Sequence, residues 1–186
     1  RAGGFALAGE YDSEKLFSFE VGTKNYFANR KLRLNASAFI YDYTDQQVAV
    51  FINTDVGSAI QNAGTSSYFG VEIDGDYLLT PNDKFNFTIN YLNGEYDSLE
   101  TEVNIVGGDN VPTNLAGNTP AQSPEWVLIG GYTHTFPLGK KDAGLDVGVN
   151  TMFKSEYFLQ AFNYAMDKQE SYTKTDLNIT YNSGNG

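Results

Sequence analysis

Along much of this chain an apolar side chain falls at every second residue and a polar or small one falls between. Phe17, Phe19 and Val21 alternate with Ser18, Glu20 and Gly22, and Phe85, Phe87, Ile89 and Tyr91 alternate with Asn86, Thr88 and Asn90. Successive side chains of a strand point to opposite sides of a sheet, so this period predicts strands with one apolar and one polar face. Seven segments carry it, at about 15–26, 31–43, 69–77, 85–91, 126–136, 145–153 and 172–181. In the second, Leu32, Leu34, Ala36, Ala38 and Ile40 oppose Arg33, Asn35, Ser37, Phe39 and Tyr41. In the third, Phe69, Val71, Ile73 and Tyr77 oppose Gly70, Glu72, Asp74 and Asp76, which makes its polar face acidic. Most are close to the ~9–11 residues with which a tilted strand crosses a bilayer.

The connections alternate in length. Ala28-Asn29-Arg30, Thr80-Pro81-Asn82-Asp83 and the stretch 137–144 are short or rich in turn residues, whereas 44–66, 96–125 and 155–171 are long. Sorting tight turns to one rim and long loops to the other is the pattern of a transmembrane β-barrel wall. Charge sorts the same way. The short turns hold Arg30, Lys31, Lys84, Lys140 and Lys141, and the loops after Tyr43 and Tyr91 hold Asp45, Asp55, Glu95, Asp97, Glu100, Glu102 and Asp109 without a Lys or Arg. The long-loop rim is therefore expected to be electronegative, either as a field for cationic or metal-complexed solutes or as plain solvated loop surface. Within the third long loop, Phe158, Phe162, Ala165 and Met166 fall at helical spacing, so 156–167 reads as extended structure with a short helix as the alternative. The Gly- and Asn-rich stretch 106–118 has no period and reads as mobile loop.

Composition excludes several classes. With no Cys there is neither a disulfide framework nor thiolate chemistry. No run approaches the ~20 apolar residues of a spanning helix, a test that an alternating barrel strand escapes. A net charge of -11 and a lack of Lys and Arg clusters argue against nucleic acid as a partner. The opening Arg1-Ala2-Gly3-Gly4 carries no secretion signal, so the sequence reads as a processed or internal segment.

Residues for catalysis are scarce. His134 is the single His, no Gly-rich phosphate loop is present, and His134 beside Tyr132 and Phe136 reads as an interfacial side chain. Glu72, Asp74 and Asp76 lie about 7 Å apart along one strand face and could hold a cation or act as an acid–base pair, but carboxylates are also routine in a water-filled lumen. No enzyme activity, cofactor or metal is expected. Tyr26, Phe27, Tyr77, Trp126, Tyr132 and Phe136 sit near strand ends, where rings favour the headgroup zone; exposed rings of this kind also occur in carbohydrate-binding modules.

The run Phe39-Ile40-Tyr41-Asp42-Tyr43-Thr44-Asp45-Gln46-Gln47-Val48, then Asn62-Ala63-Gly64 and Gly70-Val71-Glu72-Ile73, resembles the late barrel region of TonB-dependent outer-membrane receptors. Glu20-Val21-Gly22-Thr23-Lys24 before it, and 91–97, Gly117-Asn118-Thr119-Pro120 and Ser123-Pro124-Glu125-Trp126 after it, keep the same order, so the likeness runs over about 11–181. The resemblance implies that residues 1–186 are part of a barrel domain, about seven strands of a 22-stranded wall around an amino-terminal plug. It implies binding of an iron chelate, cobalamin or a glycan at the outer loops, and import when TonB, energised in the inner membrane, pulls the plug. The expected partners are thus outer-membrane lipid, the plug of the same full-length chain, TonB through that plug, and an iron-siderophore or similar small solute, in a Gram-negative outer membrane.

The sequence departs from the full pattern by lacking the plug, a TonB-contacting segment and a last strand ending in an aromatic residue, so an open curved sheet with two unpaired edges is expected. In this reading Phe17, Phe19, Val21, Phe69, Val71, Ile73, Phe85, Phe87 and Ile89 face lipid. Glu20, Lys24, Arg33, Asn35, Glu72, Asp74, Asn86 and Asn90 line the lumen, and 44–66 and 96–125 are the expected ligand contacts. Two rival readings are a passive porin-like barrel and a soluble carbohydrate-binding β-sandwich. The sandwich requires a second sheet over Phe85, Phe87 and Ile89.

Overall fold

The computed structural model describes residues 12–53, 57–104, 110–139 and 143–184. Its strands are β1 (Lys15–Phe27), β2 (Leu32–Asn53), β3 (Gly57–Thr80), β4 (Asp83–Asn104), β5 (Asn110–Asn114), β6 (Trp126–Pro137), β7 (Ala143–Lys154), β8 (Tyr157–Phe158), β9 (Lys168–Gln169) and β10 (Tyr172–Ser183). The main sheet runs β1-β2-β3-β4-β6-β7-β10, every pair antiparallel, with β5 added to the upper end of β4. Neighbours in sequence are neighbours in space, and β1 and β10 are its two edges among the described residues. Each of the seven periodic segments is one strand of this meander.

Register carries each strand's two faces across the whole sheet, because directly paired residues share a face. Phe19 pairs with Ile40, Ile40 with Phe69 and Phe69 with Asn93; Val21 pairs with Ala38, Ala38 with Val71 and Val71 with Tyr91. Ile73 pairs with Ile89, Ile89 with Leu128 and Leu128 with Phe153. The result is one continuous apolar face that ends on Leu177 and Ile179 of β10. It stays open to its surroundings: Phe17 is 64% exposed, Phe85 42% and Leu177 69%. Among the described residues the only other sheet is the two-stranded β8–β9 ladder, so no second layer covers Phe85, Phe87 and Ile89 as a sandwich core would require. Rings gather at both borders of this face. Tyr91 meets Trp126 at 4.8 Å and Phe69 at 6.2 Å above, and Phe85 meets Tyr132 at 4.8 Å below.

The short connections are tight. Ala28, Asn29 and Arg30 all have positive φ, and Lys31 N–H closes the turn on the Ala28 carbonyl at 3.2 Å. At the β3–β4 turn, Asp83 accepts from the Thr80 hydroxyl, from Tyr132 Oη at 2.6 Å and from His134 Nδ1 at 2.7 Å, which ties the turn to β6.

The structure corrects several expectations. Much of 44–66 is not loop: β2 and β3 continue as a tall hairpin, with 22 and 24 residues, and β4 runs 22 residues to Asn104. The alternation loses its phase where the register shifts, at Tyr43/Gln46 in β2, where Asp45 has φ 58°, and at Thr65/Ser66 opposite β4. A bulge adds one residue and swaps the faces, so pairing continues where a period of two is no longer visible. Within 106–118, residues 110–114 are strand β5, paired from Glu100↔Asn114 to Asn104↔Asn110. Residues 106–109, together with Asp55, Lys140 and Lys141, lie outside the described residues. In 156–167 only Tyr157–Phe158 is strand, paired with β9; the rest is bends and turns, with one 3-10 turn at Ala165–Asp167 where the helical spacing falls. Tyr26 does not join the outer ring belt: it pairs with Arg33 on the polar face, and Arg30 lies 5.1 Å from its ring centre.

Candidate functional site

The polar face and the long-loop rim above it form the candidate site. Glu20, Lys24, Arg33, Asn35, Glu72, Asp74, Asn86 and Asn90 all fall on this one face, by the pairs Lys24↔Asn35, Asn35↔Asp74, Arg33↔Asp76, Glu72↔Asn90 and Asp76↔Asn86. Phe17, Phe19, Val21, Phe69, Val71, Ile73, Phe85, Phe87 and Ile89 all fall on the other.

Toward the short-turn end the polar face carries an ion network. Arg33 Nε donates to Asp76 Oδ2 at 2.9 Å, Arg33 Nη2 lies 3.3 Å from Asp74 Oδ2, and Lys84 Nζ lies 3.1 Å from Asp76 Oδ1. Asn35 Nδ2 donates to Asp74 at 3.1 Å. Two of the three same-face carboxylates are therefore held by cations, which removes them as an acid–base pair; among the described residues no cluster of His, Asp or Glu is arranged to hold a metal ion. Glu72 remains exposed, and with Glu20, Lys24, Ser37 and Asp74 it borders an open groove of about 480 Å³ floored by Gly22.

Higher on this face, aromatic rings lie down on glycines. Phe39 covers Gly70, where a Cβ would overlap its ring, and stacks on Tyr41 with centroids 4.5 Å apart. Tyr68 covers Gly94, one ring carbon standing 2.6 Å from the place of a Cβ. Above the bulges the same face becomes a small core. Ser66 pairs with Tyr96 and Gly64 with Leu99, and buried Gln46 Nε2 donates to buried Ser66 Oγ. Leu99, 2% exposed, packs with Tyr96 and Leu115, and Ala161 and Phe162 close over them.

That core is roofed by two loops that are distant in sequence. Leu115 N–H donates to Leu99 O, Gly117 N–H to Tyr96 O, and Tyr96 N–H to Asn118 O, so residues 115–118 fold back on β4. Pro120 reaches 3.5 Å from the Cβ position of Gly94, beside Tyr68. The second loop is braced by Lys168 Nζ at 2.8 Å from Glu156 Oε2, a hydrogen bond that raises the Lys168 pKa. The rim keeps Asp42, Glu95, Asp97 and Glu100 exposed, while Asp45 pairs with Lys15 at 2.7 Å. Sequence reasoning identifies the 96–125 side of this unit but not the 155–171 side; the Phe158, Phe162, Ala165 and Met166 spacing is the only trace of it.

Among the described residues of this site no nucleophile is paired with a base. The sole His has its Nδ1 on Asp83, at the opposite rim. What the site offers is a polar, partly charged wall beneath a folded roof, suited to binding and passage.

Comparisons with known proteins agree with that geometry. The model of the family described as TonB dependent receptor-like, beta-barrel, matches residues 1–185. Among solved structures, the ferric yersiniabactin uptake receptor FyuA from Yersinia pestis superposes with a TM-score of 0.68 at 18% identity, over 90% of this chain and 22% of that one. The siderophore receptor PiuA from Acinetobacter baumannii gives 0.68 at 22% identity, over 91% and 22%. The copper transporter OprC gives 0.61 at 19%, over 90% and 23%. At these identities the likeness speaks to the fold, and the chain spans less than a quarter of the length of each of the three. Among curated proteins no sequence matches. The described strands therefore form part of a transmembrane barrel wall, and the chain belongs to the TonB-dependent receptor-like β-barrel family, a family of receptors and transporters.

Proposed function

We propose that this chain is a sector of the wall and ligand-facing rim of a Gram-negative outer-membrane receptor that binds an iron-siderophore and imports it with energy delivered by TonB through a plug of the same full-length chain. Phe17, Phe19, Val21, Phe69, Val71, Ile73, Phe85, Phe87 and Ile89 face lipid hydrocarbon in this reading. Glu20, Lys24, Arg33, Asn35, Glu72, Asp74, Asn86 and Asn90 line the water-filled interior, where they hydrate the lumen and hydrogen-bond to the plug. The observation that carries the reading is the folded roof of residues 115–122 and 157–167 over the polar face, which gives a solute a shaped surface held in place by main-chain hydrogen bonds and a small apolar core. FyuA, a ferric yersiniabactin uptake receptor, and PiuA, a siderophore receptor, support an iron chelate as the solute.

The test is iron uptake by cells whose only receptor for ferric chelates is the full-length protein, fed radiolabelled ferric complexes of hydroxamate, catecholate and mixed-ligand siderophores. At least one complex is expected to enter, and entry is expected to stop when TonB is deleted or a protonophore collapses the inner-membrane gradient. Uptake that persists without TonB would establish the porin-like alternative; no uptake of any ferric complex would overturn the assignment of the solute.

A further inference from the structure

We infer that Asn163 is the positioning residue that joins the rim loops 115–122 and 157–167 into one ligand-facing body, so that the second loop belongs to the binding surface as much as the first. The inference rests on the proposed role of this rim in solute binding. It starts from an unusual pairing. Thr119 N–H donates to Asn163 Oδ1 at 2.8 Å, and Asn163 Nδ2 donates back to Thr119 O at 2.9 Å. One side-chain amide thus satisfies both main-chain groups of one residue, as a neighbouring strand would. Asn163 Nδ2 also lies 3.3 Å from the carbonyls of Ala161 and Gln160, which fixes the amide within its own loop. Its backbone is left-handed, φ 54°, a conformation that Asn tolerates better than most residues.

Three further contacts make the junction two-sided. Asn118 Nδ2 donates to Ala161 O at 2.9 Å, Gln122 N–H donates to Phe158 O at 2.7 Å, and Phe162 and Ala161 pack on Tyr96, Leu99 and Leu115. Residues 115–122 are therefore clamped between the wall strand β4 and the second loop. Beyond the clamp the second loop presents apolar side chains outward. Phe162 and Tyr164 stack with centroids 5.3 Å apart, and Leu159, Tyr164 and Met166 are exposed, Met166 at 88%. In this inference a solute that contacts 115–122 also meets these side chains, because neither loop can shift alone without breaking the Asn163–Thr119 pair.

The experiment is hydrogen–deuterium exchange on the full-length receptor in detergent, comparing wild type with Asn163→Gly and Asn163→Asp. Glycine keeps the left-handed backbone and removes the amide; aspartate keeps the acceptor for Thr119 N–H and loses the donors. Asn163→Gly is expected to speed exchange about tenfold or more at Thr119, and equally at Gln122 and through 158–167, with β1–β4 below the bulges unchanged. Asn163→Asp turns a carboxylate oxygen toward the carbonyls of Thr119, Gln160 and Ala161, so it is expected to speed exchange through both loops as well, and it carries the test if the glycine variant does not fold. Faster exchange confined to Thr119 would refute the coupling. A second arm adds the ferric siderophore that supports uptake: protection is expected in both loops together, and protection of 115–122 alone would refute the shared surface. If no ferric siderophore is taken up, the proposed solute falls, while the ligand-free exchange still judges the coupling.

Discussion

Ile73 lies at the middle of the apolar face, and replacing it with Arg is the sharpest test of what that face touches. On β3 it stands four residues from Phe69 and four from Tyr77, all on the same side, with Ala36 and Ile89 as its cross-strand neighbours. At about 3.4 Å per residue and a tilt near 40°, four residues climb about 10 Å, which puts Ile73 close to the midplane of an apolar band roughly 25 Å tall. An Arg on the lipid side of a barrel costs about 2–4 kcal/mol at that depth and about 0–1 kcal/mol near the interfaces. Ile73→Arg is therefore expected to lower stability by about 2–4 kcal/mol, and Tyr77→Arg by about 1 kcal/mol beyond the loss of its ring contacts. Glu72→Arg, one residue away but on the polar face, is expected to stay within about 1 kcal/mol of wild type. The assay is reversible urea unfolding of the full-length receptor in lipid vesicles, read by the gel shift between folded and unfolded barrel. Equal costs at Ile73 and Glu72 would refute the lipid contact on which the membrane orientation rests.

Gly75 lies under the Phe87 ring, whose carbons stand 2.6 and 2.7 Å from the place of a Cβ, with the Arg33 carbonyl at 2.9 Å. Because one obstacle is backbone, Gly75→Ala is expected to cost about 1–3 kcal/mol in the same unfolding assay. Asp83 is held down to about pKa 2 by hydrogen bonds from Thr80, Tyr132 and His134. A carboxyl whose folded pKa lies below its ordinary value of 3.8 stabilises the fold above that value and loses the contribution as pH falls from about 4 toward 2. The wild-type receptor is thus expected to lose stability across that window, and Asp83→Asn to lose less there, in acid titrations followed by exchange at the β3–β4 turn. Leu99→Ala removes the most buried large side chain of the rim core and is expected to cost the roof about 2–5 kcal/mol of local stability, read as faster proteolysis within 115–125 while the wall resists.

The two-sided wall is legible in residue order, because a side-chain period of two is a local property: Phe85 to Tyr91 announces its two faces to anyone reading the chain. So is the sorting of turns and loops, since Ala28-Asn29-Arg30 and Thr80-Pro81-Asn82-Asp83 leave room for nothing but tight reversals. The tall hairpin is not, for the bulge at Asp45 shifts parity and hides a strand that main-chain pairing sustains to Asn53. The side taken by Tyr26 is legible as well: unbroken parity from Glu20 and Lys24 puts it on the polar face, whereas nearness to a strand end says nothing about which face a ring takes.

From sequence alone came the faces of the strands, a consequence of residue order within a few positions, and the class of fold and the acidic rim, which follow from how turns, long connections and charges are sorted along the chain. Tertiary structure alone decided which carboxylates are neutralised, since Arg33 reaches Asp74 and Asp76 only across a strand pair. It also decided that 115–122 and 157–167 share one roof: Thr119 and Asn163 are 44 residues apart, and no local pattern can encode a hydrogen bond between them.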